Sequence, residues 1–287
     1  MSTTYEMSFR VDSRDVDLFN QCRPSAVLGY LQEAATQAAL ALGVSGPEIL
    51  KKYHCMWMVT RNWAELDAPL RWNDPITVKT WHRGASGAST YRDFDLFRDG
   101  RPIGQATSVW VMVDAEQHKL FRMKDLAEFE GTDGGELKKT IKLRRPALPE
   151  GFDGRSRREL GYSDTDINGH VNNAHYADFA CDSLHLERLG RDRFIRSFQI
   201  GYVSECRAGE TLWVDTAARG DELFARGQGE DGVERFESHL TTPEPLELQR
   251  HFAHAAASGM EYLVMEVSSQ ALKYHRTLGA RFAAAAY

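Results

Sequence analysis

Residues 24–43 read PSAVLGYLQEAATQAALALG, and their spacing decides the fold class. Val27, Leu31, Ala34, Ala38 and Ala41 recur at helical intervals, so one face of the segment is apolar. Pro24 suits a first helical turn, where no backbone N–H is needed, and Gly43 suits the stop. The chain beyond Gly43 differs in kind. Segments 57–66, 75–81, 90–97 and 103–113 are rich in Val, Thr, Trp, Tyr and Phe. Turn residues such as Trp72-Asn73-Asp74-Pro75 and Arg98-Asp99-Gly100 separate them. One long helix and then an antiparallel meander, without alternation of strand and helix, is an α+β layout.

Further along, residues 131–135 are rich in glycine, and next comes a basic stretch with Lys138, Lys139, Lys142, Arg144 and Arg145. Pro146 and Pro149 close it. Residues 132–154 therefore read as a linker between a first lobe, 1–131, and a second, 155–240. A second amphipathic helix is expected over about 172–189, with Ala177, Ala180, Cys181 and Leu184 on one face. Strands are expected near 196–205, 211–217, 223–227 and 233–240. The lobes open alike. Asp15-Val-Asp17 and Asn20-Gln-Cys22 answer Asp164-Thr-Asp166 and Asn168-Gly-His170, and Trp63-Ala-Glu65 answers Val203-Ser-Glu205. The match points to an internal duplication.

Composition narrows the classes. The 287 residues are 42% hydrophobic and 26% charged, the balance of a globular chain with a sizeable core. The net charge of −6 disfavours general nucleic-acid binding. No apolar run is long enough to span a membrane. The opening, MSTTYEMSFRVDSRD, is polar and lacks a secretory pattern, so the cytoplasm is the expected compartment. Cys22, Cys55, Cys181 and Cys206 are scattered without a CxxC pair, which argues for reduced thiols.

The densest polar run is 162–173, YSDTDINGHVNN, just ahead of the second helix. Asp166, Asn168 and His170 alternate, so an extended segment would point them the same way. A carboxylate, an amide and an imidazole would then meet at a helix start, which offers free N–H groups. Asp and Asn at such a place also suit plain capping. No metal is expected, because no second His or carboxylate sits nearby at a helical ligand spacing. Acyl transfer from a thioester fits such a site. A thiol of pKa roughly 8.5 leaves readily, so the site must supply a nucleophile and a home for the oxyanion. Asp166 can activate water as a base or attack directly to give an anhydride, and the residues alone leave both routes open.

The run DTDINGHVNNAHYADF at 164–179 resembles the catalytic segment of the acyl-acyl carrier protein (acyl-ACP) thioesterases. The first lobe resembles that family too, in WMVTRNWAELDAPLRWNDPITVKTW at 57–81 and ATSVWVMVD at 106–114. The resemblance implies a tandem, or double, hot-dog fold: two antiparallel sheets, each wrapped around a long helix. It implies that Asp166 is nucleophile or base, that Asn168 and His170 orient water or the carbonyl, and that Glu205 supports them. Cys206 is a further candidate, though its only cationic neighbour in sequence is Arg207 and a small buried residue is the plainer reading. Cys22 stands where the second lobe has His170, so one chemical site per chain is expected. The first lobe would then house the acyl chain, with Met56, Trp57, Met58 and Val59 as candidate lining or as plain core.

No cofactor is implied. The implied partner is an acyl carrier protein, which is acidic, and Lys138, Lys139, Lys142, Arg144 and Arg145 are candidates to dock it. A homodimer stays open. An acyl-CoA thioesterase on the same fold and a non-catalytic acyl-binding protein are the alternatives.

After Leu240 the character changes. TTPEPLELQ at 241–249 and MEVSSQALKYHR at 265–276 resemble the central domain of the Mur ligases, especially the UDP-N-acetylmuramyl-tripeptide synthetases. In that family the Glu matching Glu266 helps hold magnesium, and the Thr pair matching Thr241 and Thr242 contacts the nucleotide-sugar. The phosphate-binding glycine loop is missing, so residues 241–287 read as a truncated appendage without ligase activity.

Overall fold

The computed structural model describes residues 4–116, 119–121, 143–230, 248–250, 252–253 and 273–274. The chain divides into two compact units, Met1–Gly229 and Glu230–Tyr287.

The first unit opens with β1 (Thr4–Arg10) and then the expected long helix, α1 (Pro24–Ala41). Pro24 starts α1, and Gly43, at φ +70°, takes the chain out of it. A short helix, α2 (Gly46–Tyr53), comes next on a capping box in which Glu48 accepts from the Ser45 N–H at 3.0 Å. The meander is β2 (Cys55–Leu66), β3 (Pro75–Ser86), β4 (Ser89–Arg98) and β5 (Arg101–Asp114), with β6 (Leu120–Phe121) paired on β5.

The second lobe supplies β7 (Gly154–Glu159), α3 (His175–Ser183), β8 (Ser197–Gly201), β9 (Thr211–Arg219) and β10 (Glu222–Glu230). The large sheet runs β1-β3-β4-β5-β2-β8, and the smaller one β10-β9-β7. β8 is therefore lent to the first lobe's sheet, antiparallel to β2 from Arg61↔Gly201 to Glu65↔Ser197. The layout is α+β.

α1 lies on the large sheet. Val27, Leu28, Leu31 and Ala34 pack with Ile76, Val78, Phe94 and Leu96, all at most 4% exposed. Burying each of the larger side chains is worth about 1.5–3 kcal/mol, so this layer is the main source of cohesion. A smaller cluster of Leu160, Val171, Phe179, Leu212 and Val214 serves the second lobe.

The second lobe departs from expectation in three places. α3 has nine residues and does not run over 172–189, because His185 at φ 56° ends it before a 3-10 turn at Leu186–Arg188. The strand expected at 196–205 stops at Gly201. Residues 154–159, at the edge of the expected linker, form β7. The expected strand at 233–240, and the tail residues 241–247 and 265–272 with Glu266 among them, lie outside the described residues.

Candidate active site

Residues 166–170 form a tight turn closed by the bridge Thr165↔Val171. The Asp166 N–H donates to the His170 carbonyl at 2.9 Å, and the Gly169 N–H to the Asp166 carbonyl at 3.0 Å. Asp166 Oδ1 accepts from the Asn168 N–H at 2.8 Å. Gly169 takes φ +77°, a value that suits glycine. Asp166, Asn168 and His170 therefore share one turn and do not alternate along an extended strand. Nor does the helix begin at the turn: α3 starts only at His175, with Asn172 Oδ1 accepting from the Ala174 N–H at 2.9 Å.

A second segment docks on this turn. The Val171 N–H donates to the Cys206 carbonyl at 2.8 Å, which carries Glu205 and Arg207 to the imidazole. Glu205 Oε2 lies 3.1 Å from His170 Nε2, and Arg207 Nη2 lies 3.4 Å from the same nitrogen. The His170 side chain is 21% exposed and that of Glu205 38%. Cys206 is buried, its backbone N–H donates to Tyr176 Oη at 3.1 Å, and burial pushes its thiol up. Burial likewise raises the Tyr176 hydroxyl. Arg207 lies outside the motif at 164–179, and Tyr176 lies within it without an expected role. The adjacency of Arg207 to Glu-Cys is the available signal for the first.

The first lobe holds a matching turn, and its bonds correct the register of the duplication. Asp17 N–H donates to the Gln21 carbonyl at 2.8 Å, Asn20 N–H to the Asp17 carbonyl at 3.0 Å, and Phe19 N–H to Asp17 Oδ1 at 2.8 Å. Val16↔Cys22 is the closing bridge, and the Cys22 N–H donates to the Leu70 carbonyl at 2.8 Å. Asp17, Phe19 and Gln21 thus answer Asp166, Asn168 and His170. Gln21, not Cys22, stands where His170 does, and Leu70 answers Cys206, so Glu65 is not the counterpart of Glu205. The Gln21 amide is occupied, donating to the carbonyls of Arg191 and Arg193 at 3.3 and 2.8 Å. A cavity of about 350 Å³ lies beside this first-lobe turn, and its lining includes Asp17, Gln21, His175 and Arg158 but none of the four catalytic candidates.

Met56, Trp57, Met58 and Val59 lie on β2, where alternation puts Met56 and Met58 on one face and Trp57 and Val59 on the other. Trp57 packs on the α2 cluster and donates its indole N–H to the Val44 carbonyl at 2.9 Å. Lys138, Lys139 and Lys142 lie outside the described residues. Arg144 and Arg145 are exposed, and the Arg144 carbonyl accepts from Gln199 Nε2 at 2.5 Å. Arg155 and Arg157 stack over Trp213 at 4.7 and 6.0 Å. Among the described residues, no group of three or more His, Cys, Asp or Glu is gathered to hold a metal ion.

Comparison with known proteins sets this geometry in a family. The acyl-ACP thioesterase N-terminal domain matches residues 2–128, and the C-terminal domain of the same family matches 154–238. The Mur ligase middle domain matches 215–287. Oleoyl-acyl carrier protein thioesterase 2 of Arabidopsis thaliana, a chloroplastic protein, is 24% identical over 274 residues, 88% of this chain and 71% of that protein. The corresponding thioesterase of Coriandrum sativum is 25% identical over 240 residues, and the chain spans 64% of its length. The crystal structure of an acyl-ACP thioesterase from Bacteroides thetaiotaomicron superposes with a TM-score of 0.72 at 24% identity, covering 81% of this chain and 94% of that one. That likeness shows the fold, a double hot-dog. With both domains of one family matched in order across its two lobes, the chain belongs to the acyl-ACP thioesterases, a family of thioester hydrolases.

Proposed function

We propose that the chain hydrolyses acyl-ACP thioesters to free fatty acid and holo-ACP, with its one chemical site in the second lobe. The observation that carries this reading is the ordered match of both family domains, joined to a turn bearing Asp166, Asn168 and His170 beside Glu205. In this reading Asp166 Oδ1 is held by the Asn168 N–H, and Oδ2 attacks the thioester carbonyl or takes a proton from water. The Asn168 amide and the His170 imidazole position the water or the carbonyl, and Glu205 fixes the imidazole. The first lobe receives the acyl chain. Residues 155–240 form the catalytic lobe, 1–131 the acyl-binding lobe, and 241–287 an appendage with no part in hydrolysis. The basic residues Lys138, Lys139, Lys142, Arg144 and Arg145 steer the acidic carrier.

The test is hydrolysis of matched acyl-ACP and acyl-CoA. Asp166→Ala removes activity on both. Charge reversal at Lys138, Lys139, Arg144 and Arg145 raises KM for acyl-ACP and spares small acyl thioesters. A strong preference for CoA replaces the carrier reading with an acyl-CoA thioesterase, and unchanged hydrolysis by Asp166→Ala removes the site.

A further inference from the structure

The inner face of the large sheet, under α1, carries a buried polar row where an acyl-binding lobe would be expected to be greasy. Cross-strand register sets Asn62 of β2 opposite Ser108 of β5, Ser108 opposite Arg92 of β4, and Arg92 opposite His82 of β3. All four are at most 8% exposed. Arg92 is two residues from Phe94, and Ser108 two from Ala106, so the row shares the face that packs with α1. The Arg92 guanidinium donates to Thr80 Oγ1 at 3.4 Å, and burial pulls its pKa down to about 10.

A small cavity of about 10 Å³, room for a single water-sized group, opens on this row. Its polar lining is Gln32 from α1, Asn62 and Ser108 from the sheet, and Asn173 from the second lobe just beyond His170. Asn62 donates to Tyr202 Oη at 3.3 Å, and Ser108 Oγ accepts from the Trp110 indole at 2.7 Å. Gln32 Oε1 is buried and accepts no hydrogen bond among the described residues. A methylene placed here leaves that acceptor without a donor. A hydroxyl supplies the missing donor and offers its own oxygen to the neighbouring amides. Asn173 stands three residues after His170, so one wall of the cavity belongs to the segment that leads out of the candidate turn.

We propose that this cavity seats a hydroxyl carried on the acyl chain close to the thioester, making hydroxyacyl thioesters the preferred substrate class. The proposal rests on the thioesterase reading above. The experiment measures kcat/KM of the full chain on 3-hydroxyacyl-ACP and saturated acyl-ACP of equal length, over several lengths. The expected result is a preference for the hydroxylated chain of about tenfold or more at the best length. Gln32→Leu abolishes that preference through the hydroxylated substrate alone, and Asn62→Leu serves if that variant does not fold. Equal or better hydrolysis of the saturated chain by the unaltered protein overturns the proposal, as does an equal loss on both substrates in the variants. If the unaltered protein hydrolyses neither chain, the thioesterase reading itself falls.

Discussion

His170 is the residue of the candidate site on which side-chain contacts converge, because a carboxylate and a guanidinium both address its Nε2. The two contacts exclude each other in proton terms: Nε2 donates to Glu205 when protonated and accepts from Arg207 when not. In the proposed site Glu205 works through His170, which it contacts at 3.1 Å. Glu205→Ala is expected to lower kcat by about 100-fold, and His170→Ala added to it costs little more, as a double-mutant cycle will show. Cys206 makes the opposite prediction. Burial raises its thiol, as it raises that of Cys55, and pushes Cys22 and Cys181 up to about 12. Since a raised thiol pKa keeps the protonated, unreactive form, all four stay protonated at pH 8 in the folded chain. Iodoacetamide at pH 8 should leave the native protein largely unlabelled and modify it fully in denaturant, read by mass. Cys206→Ser should keep most of the activity, and rapid labelling of Cys206 with loss of turnover would make it a nucleophile after all.

At the scale of elements, the two turns are the informative pair. They have the same bonding pattern, but the left-handed position is Gly169 in one and Asn20 in the other, at φ 77° and 59°. Gly169→Ala forces a Cβ into that region and is expected to cost about 1–2 kcal/mol in denaturant unfolding. It should also lower kcat, because the turn carries Asp166 and His170. Asn20→Gly relieves the left-handed backbone but removes the Oδ1 that accepts from the Trp72 N–H at 3.0 Å, two opposing effects whose sum should stay within about 1 kcal/mol. α1 and the four strands of the meander were legible in the sequence because period and turn residues agreed along each of them. The candidate site was legible in its residue types and not in its shape. Alternation at 166, 168 and 170 read as an extended strand, whereas Gly169 marks a turn in which the Asp166 carboxylate serves the Asn168 N–H. The duplication was visible but slipped in register, since similarity of Asn20-Gln-Cys22 to Asn168-Gly-His170 hid the matching of Asn20 with Gly169. α2 went unread although Ser45 and Glu48 spell its capping box, and β7 was masked by the basic linker beside it.

At the scale of the molecule, each residue assigned to hydrolysis lies in the compact unit Met1–Gly229, whose last strand, β10, runs up to the boundary with the unit Glu230–Tyr287. The C-terminal thioesterase match ends at 238, and the Mur ligase match reaches back to 215, so the two families overlap on β9 and β10. Which family owns those strands is decided by structure: β9 pairs with β7 from Gly154↔Thr216 to Glu159↔Thr211, inside the small sheet of the second lobe. Deleting 241–287 should thus leave kcat within about twofold, because every residue of the candidate site lies in the other compact unit. Ending the chain at 221 should abolish turnover, because β9 then loses its β10 partner and a two-stranded β9–β7 pair is marginal alone. Circular dichroism and hydrolysis on the two truncated chains separate these outcomes. A large loss on removing only 241–287 would show that the appendage is part of the working enzyme.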